Sequence, residues 1–541
     1  MCRMAHFGNC DPETADQEYC VFHKPNKSEE EAVEFYRKFL ERFKPRVEEV
    51  EVDGEKIKRL VFEDPVDAKG FVFPPLISFE DVIFKKSVSF EKAKFEGSVS
   101  FSGTIFEKDA EFIDCIFNGL GSSSFSECVF CKRVDFSGSQ FRGEVDFRYT
   151  EFKEESVFWG TTFEENVDFR EAIFHSSVSF VNVSFMKEAN FRDTSFGKSR
   201  DSHTNFWKSI FESPAIFWNA KFHSKLDFWS VKFKGVVSFA EATFYSEATF
   251  REVEFHNSVT FHSAIFENSL IFDSSTFNSS ETFFWGTKFM GDVRFDFVAF
   301  NRGCSFKVRP DFVISKGDQK ELKTEFYGGL KFSNVDIRMG IEIDLPSEWF
   351  KLPEAEIEAR RVQRLSYEKE GKRDEADRMF VLERRAYRKV LKNRAKEKYS
   401  NSKTPYQKFE AILFLIYVYI STAIEAILAD WISLYGTSWG RIILSSFWVI
   451  TVNAILYQAL SHFSHVVILG IPIGTIYTNG ASEGIPGLLN ALYYSLVTFT
   501  TLGYGDMHPT GWLKALSAIE ALTGAVFMAL IVAVIARKWM R

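Results

Sequence analysis

The chain has 541 residues, longer than one hydrophobic core usually serves, so two or three domains are expected. Its 62 Phe residues are far above ordinary usage, and a charged fraction of 26% excludes both a wholly disordered chain and one wholly buried in a membrane. The formal charge of −8 averages an acidic N-terminal two-thirds with a basic stretch near 384–398, so it singles out no partner class.

The opening MCRMAHFGNC holds no apolar run of signal-peptide length, and the N-terminus is expected in the cytoplasm. Cys115, Cys128, Cys131 and Cys304 are scattered through the Phe-rich region, and no disulfide scaffold is expected. Cys2, Cys10, Cys20 and His23 form C-x7-C-x9-C-x2-H within a segment spanning 1–28, with His6 as a spare. Three thiolates and an imidazole suit tetrahedral Zn²⁺, although the first spacing is longer than in common zinc modules. Ordinary reduced cysteines are the other reading.

Residues 29–75 read as a cap. Ser28 with Glu31 forms a capping box that opens the amphipathic helix AVEFYRKFLERF, and VEEVEVDGEKIKRLVF carries a hairpin signal at Asp53-Gly54. From Phe79 the chain then places Phe at 84, 90, 95, 101, 106, 112 and 117, in steps alternating between five and six. The steps resume at Phe125 and again at Phe206, reach Phe283, slip by one between Phe283 and Phe289, and fade after Phe306. Two before each Phe stands a small or β-branched residue, among them Val88, Ala93, Thr104, Cys115 and Cys128.

A five-residue step fits neither a helix nor a strand period. It fits one side of a four-sided coil in which each side buries one Phe and one small residue and stacked coils pair their backbones. The pattern resembles the Phe-rich variant of the pentapeptide-repeat family, which implies a right-handed quadrilateral β-solenoid over residues 76–312. At about 22 residues per coil, Phe79–Phe306 makes roughly ten coils, on the order of 50 Å. Cys115, Cys128 and Cys304 are then small core residues. Trp159, Trp207, Trp218, Trp229 and Trp285, on or near ladder Phe residues, are expected to project outward.

Residues 313–353 read as the solenoid end and a linker. Over 354–400 apolar positions recur at helical spacing on either side of Gly371, as in a helical hairpin. From Arg384 to Lys398 eight basic residues face the single acid Glu397. Ahead of membrane-grade sequence, such a cluster fits a cytoplasmic juxtamembrane segment attracted to anionic lipid, and no nucleic-acid partner is expected. Residues 405–436 are long enough to cross a membrane. Ser421, Thr422, Glu425, Ala429 and Asp430 form a more polar strip, which favours an interfacial amphipathic helix.

Residues 440–541 hold two apolar spans, after Arg441 and over 513–536. Between them LLNALYYSLVTFT is too short to cross and reads as re-entrant, followed by TTLGYGD at 500–506. This order and motif resemble a two-transmembrane potassium channel, and the resemblance implies an α-helical pore domain assembled as a homotetramer. Thr501, Leu502, Gly503, Tyr504 and Gly505 then form a K⁺ filter, supported by Tyr494, Thr498, Thr500 and Asp506, with Tyr494 bonded to Asp506. Val497 stands where some relatives carry Glu, which puts carboxylate-linked inactivation in doubt. Gly524 falls at the hinge position of the inner helix, with small-residue packing as the alternative. Glu520, costly inside a span, is a gating candidate or a hydrogen-bonded structural carboxyl.

The resulting expectation is a passive, potassium-selective channel in the cell membrane, with the N-terminal domain and the C-terminus cytoplasmic, K⁺ as the conducted ion and a structural Zn²⁺ at the N-terminus. No catalytic constellation is evident, so no enzyme is expected. No voltage-sensor-like run of basic residues precedes the pore, and the sequence stops just after the inner helix, so regulation is expected from the N-terminal domain or the membrane. A membrane-tethered pentapeptide-repeat scaffold is the alternative.

Overall fold

The computed structural model describes residues 1–52, 55–75, 77–119, 121–199, 201–279, 282–307, 322–478 and 487–539. The hairpin turn expected at Asp53-Gly54 lies outside them. The chain divides into two units, Met1–Ala386 and Tyr387–Arg541.

Among the described residues the first unit is a β-solenoid of four sheets, three of twelve strands and one of thirteen, parallel throughout except for the first strand of the thirteen. Most strands are two residues long, and each pairs in parallel with the strand one coil away, as Phe141 does with Phe163 and Val145 with Val167. Each side points a Phe inward, giving four aromatic columns along the interior. In one, Phe169 lies 4.7 Å from Phe147 and 5.0 Å from Phe191, with ring planes 3° and 5° apart. These separations match the spacing of paired strands, so backbone pairing and ring stacking impose the same repeat.

The alternation of five and six residues has a backbone cause. Five-residue steps cross a hydrogen-bonded turn, such as Phe90–Ala93, where Ala93 N–H donates to the Phe90 carbonyl at 2.8 Å and Lys92 has φ +58°. That is a type II turn with a left-handed third position, occupied elsewhere by Asp114, Asn182 and Asn219. The residue after it is the buried small one. When it carries a hydroxyl or thiol, it donates to the Phe carbonyl one coil earlier, as Thr150 does to Phe125 (2.6 Å), Thr194 to Phe169 (2.7 Å) and Cys115 to Phe90 (2.9 Å). Cys115 and Cys128 therefore occupy hydroxyl positions inside the core, and Cys304 is buried as well. Phe169→Ala removes a ring that touches neighbours above, below and beside it. The expected loss is ~3–5 kcal/mol of stability, read by denaturant unfolding followed through Trp fluorescence.

Three sequence expectations need correction. Phe284, not Phe283, stacks in the column on Phe261, because the spacing there lengthens to Val259↔Thr282, one residue beyond the usual 22. Phe283 is left on the outside, against Trp285 at 4.2 Å. Trp285, expected to project into solvent, is covered and only 6% exposed, unlike Trp159 at 61%. The solenoid also reaches beyond 76–312. Val66–Asp67 and Val72–Phe73 already pair with the next coil, and after the insertion near 308–321 another coil forms, from Glu325–Phe326 to Ile341–Glu342.

Both ends are covered. At the first coil, helix α1 (Glu29–Phe43), opened by the Ser28–Glu31 capping box, packs Phe35 and Phe39 on Phe71 and Phe73. Strands β1 (Arg46–Val52) and β2 (Glu55–Phe62) pair antiparallel, and β2 joins the first sheet. At the last coil, helix α2 (Pro353–Lys369) supplies acceptors to the open edge: Ser366 Oγ takes the Ile341 N–H at 2.9 Å and Gln363 Oε1 the Ile343 N–H at 2.6 Å. Unpaired edge groups are thereby satisfied, which blocks pairing with another chain. Gly371, at φ +74°, ends the turn between α2 and helix α3 (Arg373–Ser400).

In the second unit, the last turns of α3 are followed by α4 (Pro405–Glu425), which continues as a π-helical turn over Ala426–Trp431. Then come α5 (Trp439–Ser461), the short α6 (Leu488–Phe499) and α7 (Leu513–Trp539). The stretches Pro405–Trp431, Trp439–Ser461 and Leu513–Lys538 are each long and apolar enough to cross a membrane.

Candidate ion pathway

TTLGYGD begins where α6 ends. Thr500 is the C-cap of α6, and the following residues have left-handed φ at every second position: Thr501 (+55°), Gly503 (+52°) and Gly505 (+75°). The two glycines accept this conformation at little cost, whereas a β-branched threonine does not adopt it without surrounding constraint. Within the single chain this loop is uncovered, with Leu502 60% and Tyr504 68% exposed. After it, Met507–Pro509 pairs antiparallel with Ile476–Thr478, which ties the loop's exit to the stretch that follows α5.

Behind the loop, α5, α6 and α7 share a buried polar network. Glu520 of α7, 2% exposed, accepts from the Tyr457 hydroxyl of α5 at 2.6 Å and also bonds Ser495 of α6. Ser495 Oγ lies 2.9 Å from the Ile450 carbonyl, and the Tyr494 and Ser517 hydroxyls are 2.9 Å apart. Three helices thus meet at one carboxyl, which has the surroundings of the hydrogen-bonded structural alternative. A lone acid within a span signals that such partners exist, but nothing in local spacing identifies Tyr457, Ser495 and Ser517 as those partners.

The bracing residues divide differently from the sequence expectation. Tyr494 turns its hydroxyl to Ser517, while its neighbour Tyr493 comes within electrostatic reach of Asp506. One helical position is a rotation of about 100°, so adjacent tyrosines face different surroundings. Gly524 packs directly on the end of α6: a Cβ there would stand 1.8 Å from the Phe499 carbonyl oxygen. That is the small-residue alternative to a hinge.

Along α4, the basic residues of α3 are engaged. Lys398 Nζ lies 2.9 Å from Glu410, Lys392 lies over the Tyr419 ring at 5.4 Å, and Arg388 pairs with Asp430 while facing Tyr435. Arg394 and Lys396 remain exposed.

In the first unit, the ligand atoms of Cys2, Cys10, Cys20 and His23 all lie within 4.8 Å of one another. Burial pushes His23 down to about 4, which keeps its ring neutral at neutral pH.

Residues 461–541, which take in α6, TTLGYGD and α7, match the ion channel family Ion_trans_2. Residues 79–122, 158–199, 217–265 and 228–276 match the pentapeptide repeats, in 9 copies. No curated protein and no solved structure matches the chain. The chain is a membrane protein that joins a pentapeptide-repeat β-solenoid to a C-terminal segment of the ion channel family.

Proposed function

We propose that this protein is a potassium-selective channel that conducts passively as a homotetramer, with Thr501, Leu502, Gly503, Tyr504 and Gly505 as its filter. The observation that carries the reading is the alternation of left-handed residues at Thr501, Gly503 and Gly505 in a loop that one chain leaves bare. A left-handed residue at every second position turns successive carbonyls toward one side. Four such loops around an axis replace the hydration shell of K⁺ with rings of oxygen, and α6 adds the negative end of its dipole. Asp506, near Tyr493, and Thr500, at the end of α6, support the loop from behind. Thr498 and Tyr494 carry that support toward Ser517.

The N-terminal unit and the C-terminus lie on the cytoplasmic side, in keeping with Arg537 and Lys538 at the end of α7. α4 lies in the interface and does not cross, because a helix with Arg388, Lys392 and Lys398 packed along it would carry those charges into hydrocarbon. Arg394 and Lys396 are the residues left to meet anionic headgroups. Regulation from the solenoid enters through α3, on which Arg388 holds Asp430.

Purified protein reconstituted in liposomes is expected to release K⁺ in preference to Na⁺, with block by barium. The absence of any barium-sensitive flux, not restored by changes of pH, would favour the membrane-tethered scaffold. Labelling of a cysteine placed near Lys403 from the outside would overturn the topology.

A further inference from the structure

We propose that Cys2, Cys10, Cys20 and His23 bind one Zn²⁺ that locks the N-terminal segment onto the first coil of the solenoid. Tetrahedral zinc, with Zn–S of about 2.3 Å and Zn–N of about 2.0 Å, sets its ligand atoms roughly 3.5–3.8 Å apart. His23 Nδ1 lies 3.7 Å from Cys2 Sγ, 3.7 Å from Cys10 Sγ and 3.0 Å from Cys20 Sγ. All four ligand atoms lie within 4.8 Å of one another, with Cys20 the tightest to His23, and no disulfide joins the three thiols.

The surroundings are those of a metal site. His23 Nε2 faces the Lys69 carbonyl at 3.4 Å. A proton placed on Nε2 for that contact leaves Nδ1 bare and aimed at the sulfurs, which is the tautomer a metal requires. The Cys20 backbone N–H points at Cys2 Sγ at 3.3 Å, a contact that stabilises a thiolate. Zinc with three thiolates and one imidazole carries a net charge of about −1. Lys27 and Arg42 both act electrostatically on His23, and Arg42 donates to the Cys10 carbonyl at 3.4 Å. Each cysteine gives its proton to solvent as the metal binds.

The site also has a structural task. Among the first 28 residues the only helical element is the short 3-10 turn Ala5–Phe7, and the bonds that shape the rest join loops, as Cys2 N–H does to the Ala15 carbonyl and Arg3 N–H to the Glu18 carbonyl, both at 2.8 Å. Yet the Cys20–His23 turn adds a layer to the solenoid: the Phe22 ring stacks on Phe71 at 4.5 Å, and the Phe22 carbonyl accepts from Val72 N–H at 2.8 Å. Asn9 donates to the same Lys69 carbonyl at 2.9 Å. Gly70, at φ +67°, is bare because a Cβ would stand 2.4 Å from the Phe7 ring. Zinc therefore fixes a segment that touches both the coil between Asp67 and Phe73 and helix α1, where Phe22 meets Phe35 and Lys38 pairs with Asp11.

The test is metal analysis of the full chain purified without a polyhistidine tag. About one zinc per chain is expected, and cobalt substitution should give the visible spectrum of a tetrahedral thiolate site. Cys10→Ser with Cys20→Ser should lower zinc at least tenfold, Cys115→Ser with Cys131→Ser should leave it unchanged, and His23→Cys should keep it with a shifted cobalt spectrum. Because the serine pair could unfold the cap, native protein is also alkylated before and after chelation; Cys2, Cys10 and Cys20 should react at least tenfold faster after it. Zinc-free protein whose three thiols react equally fast with or without chelator overturns the proposal, as does full zinc retention in the serine pair.

Discussion

Gly524→Ala is expected to abolish K⁺ flux while leaving the solenoid folded. The new methyl group would meet Phe499 backbone atoms at 1.8, 2.6 and 3.0 Å, and backbone cannot swing aside as the end of a long side chain can. Phe499 is the last residue of α6, and its ring meets Phe527 of α7 edge-on at 5.8 Å, so the two helices touch at that point through both backbone and side chain. Pushing them apart displaces Thr500 and Thr501, which follow without a break. Flux from liposomes should fall at least tenfold and the proposed tetramer should become less resistant to detergent, whereas a denaturant transition of the solenoid should not move. A hinge would behave otherwise: Ala would alter opening but spare assembly. An intact tetramer with altered open probability would therefore return Gly524 to the hinge role.

Gly503→Ala has the second large effect, by a different route. Nothing lies within 4 Å of a Cβ at this position, so the cost is conformational and not steric. A left-handed φ of +52° costs an L-residue about 1–2 kcal/mol, and the proposed tetramer would meet that cost four times around one axis. The loop is expected to relax to a conformation in which the carbonyls no longer share a side, with K⁺ over Na⁺ selectivity falling at least tenfold. Gly440→Ala is the matched control, since Gly440 sits near the start of α5 in open space without a left-handed φ, and selectivity there should not change. Equal selectivity in Gly503→Ala and Gly440→Ala would sink the filter assignment.

The solenoid was readable from the sequence because one large residue marks every side of every coil. Legibility failed where that marker was missing or doubled. Between Phe62 and Phe73 the intervening side is held by Ala68, so the first coil looked like part of the cap. At Phe283-Phe284 two rings compete for one slot, and only the register decides between them. The coil that ends at Ile341–Glu342 is separated from the rest by an insertion, which hides its period. That α2 supplies Ser366 and Gln363 to an open sheet edge could not be read from its helical spacing, since the spacing reports a buried face but not what the face covers.

In the second unit, the left-handed positions at Gly503 and Gly505 were legible because such backbone favours glycine, whereas Thr501 shares the conformation without that marker. The loop's support was legible only in part. Tyr493 and Tyr494 are chemically identical, and their rotation about the helix decides which one reaches Asp506 and which reaches Ser517. The pairing of Arg388 with Asp430 joins residues 42 apart in sequence, and periodicity within either helix carries no information about it.

The backbone pairing and ring stacking that join Phe141 to Phe163 recur from coil to coil, so each turn of the rod is bonded upward and downward by the same set of contacts. Length is then a free variable: a block of about 22 residues can be inserted or removed and the seam closes on itself, moving one end by one strand spacing, about 4.8 Å, without disturbing either terminal cover. The rod is a ruler with uniform graduations, and the distance it spans can be changed without any alteration to the membrane segment that follows.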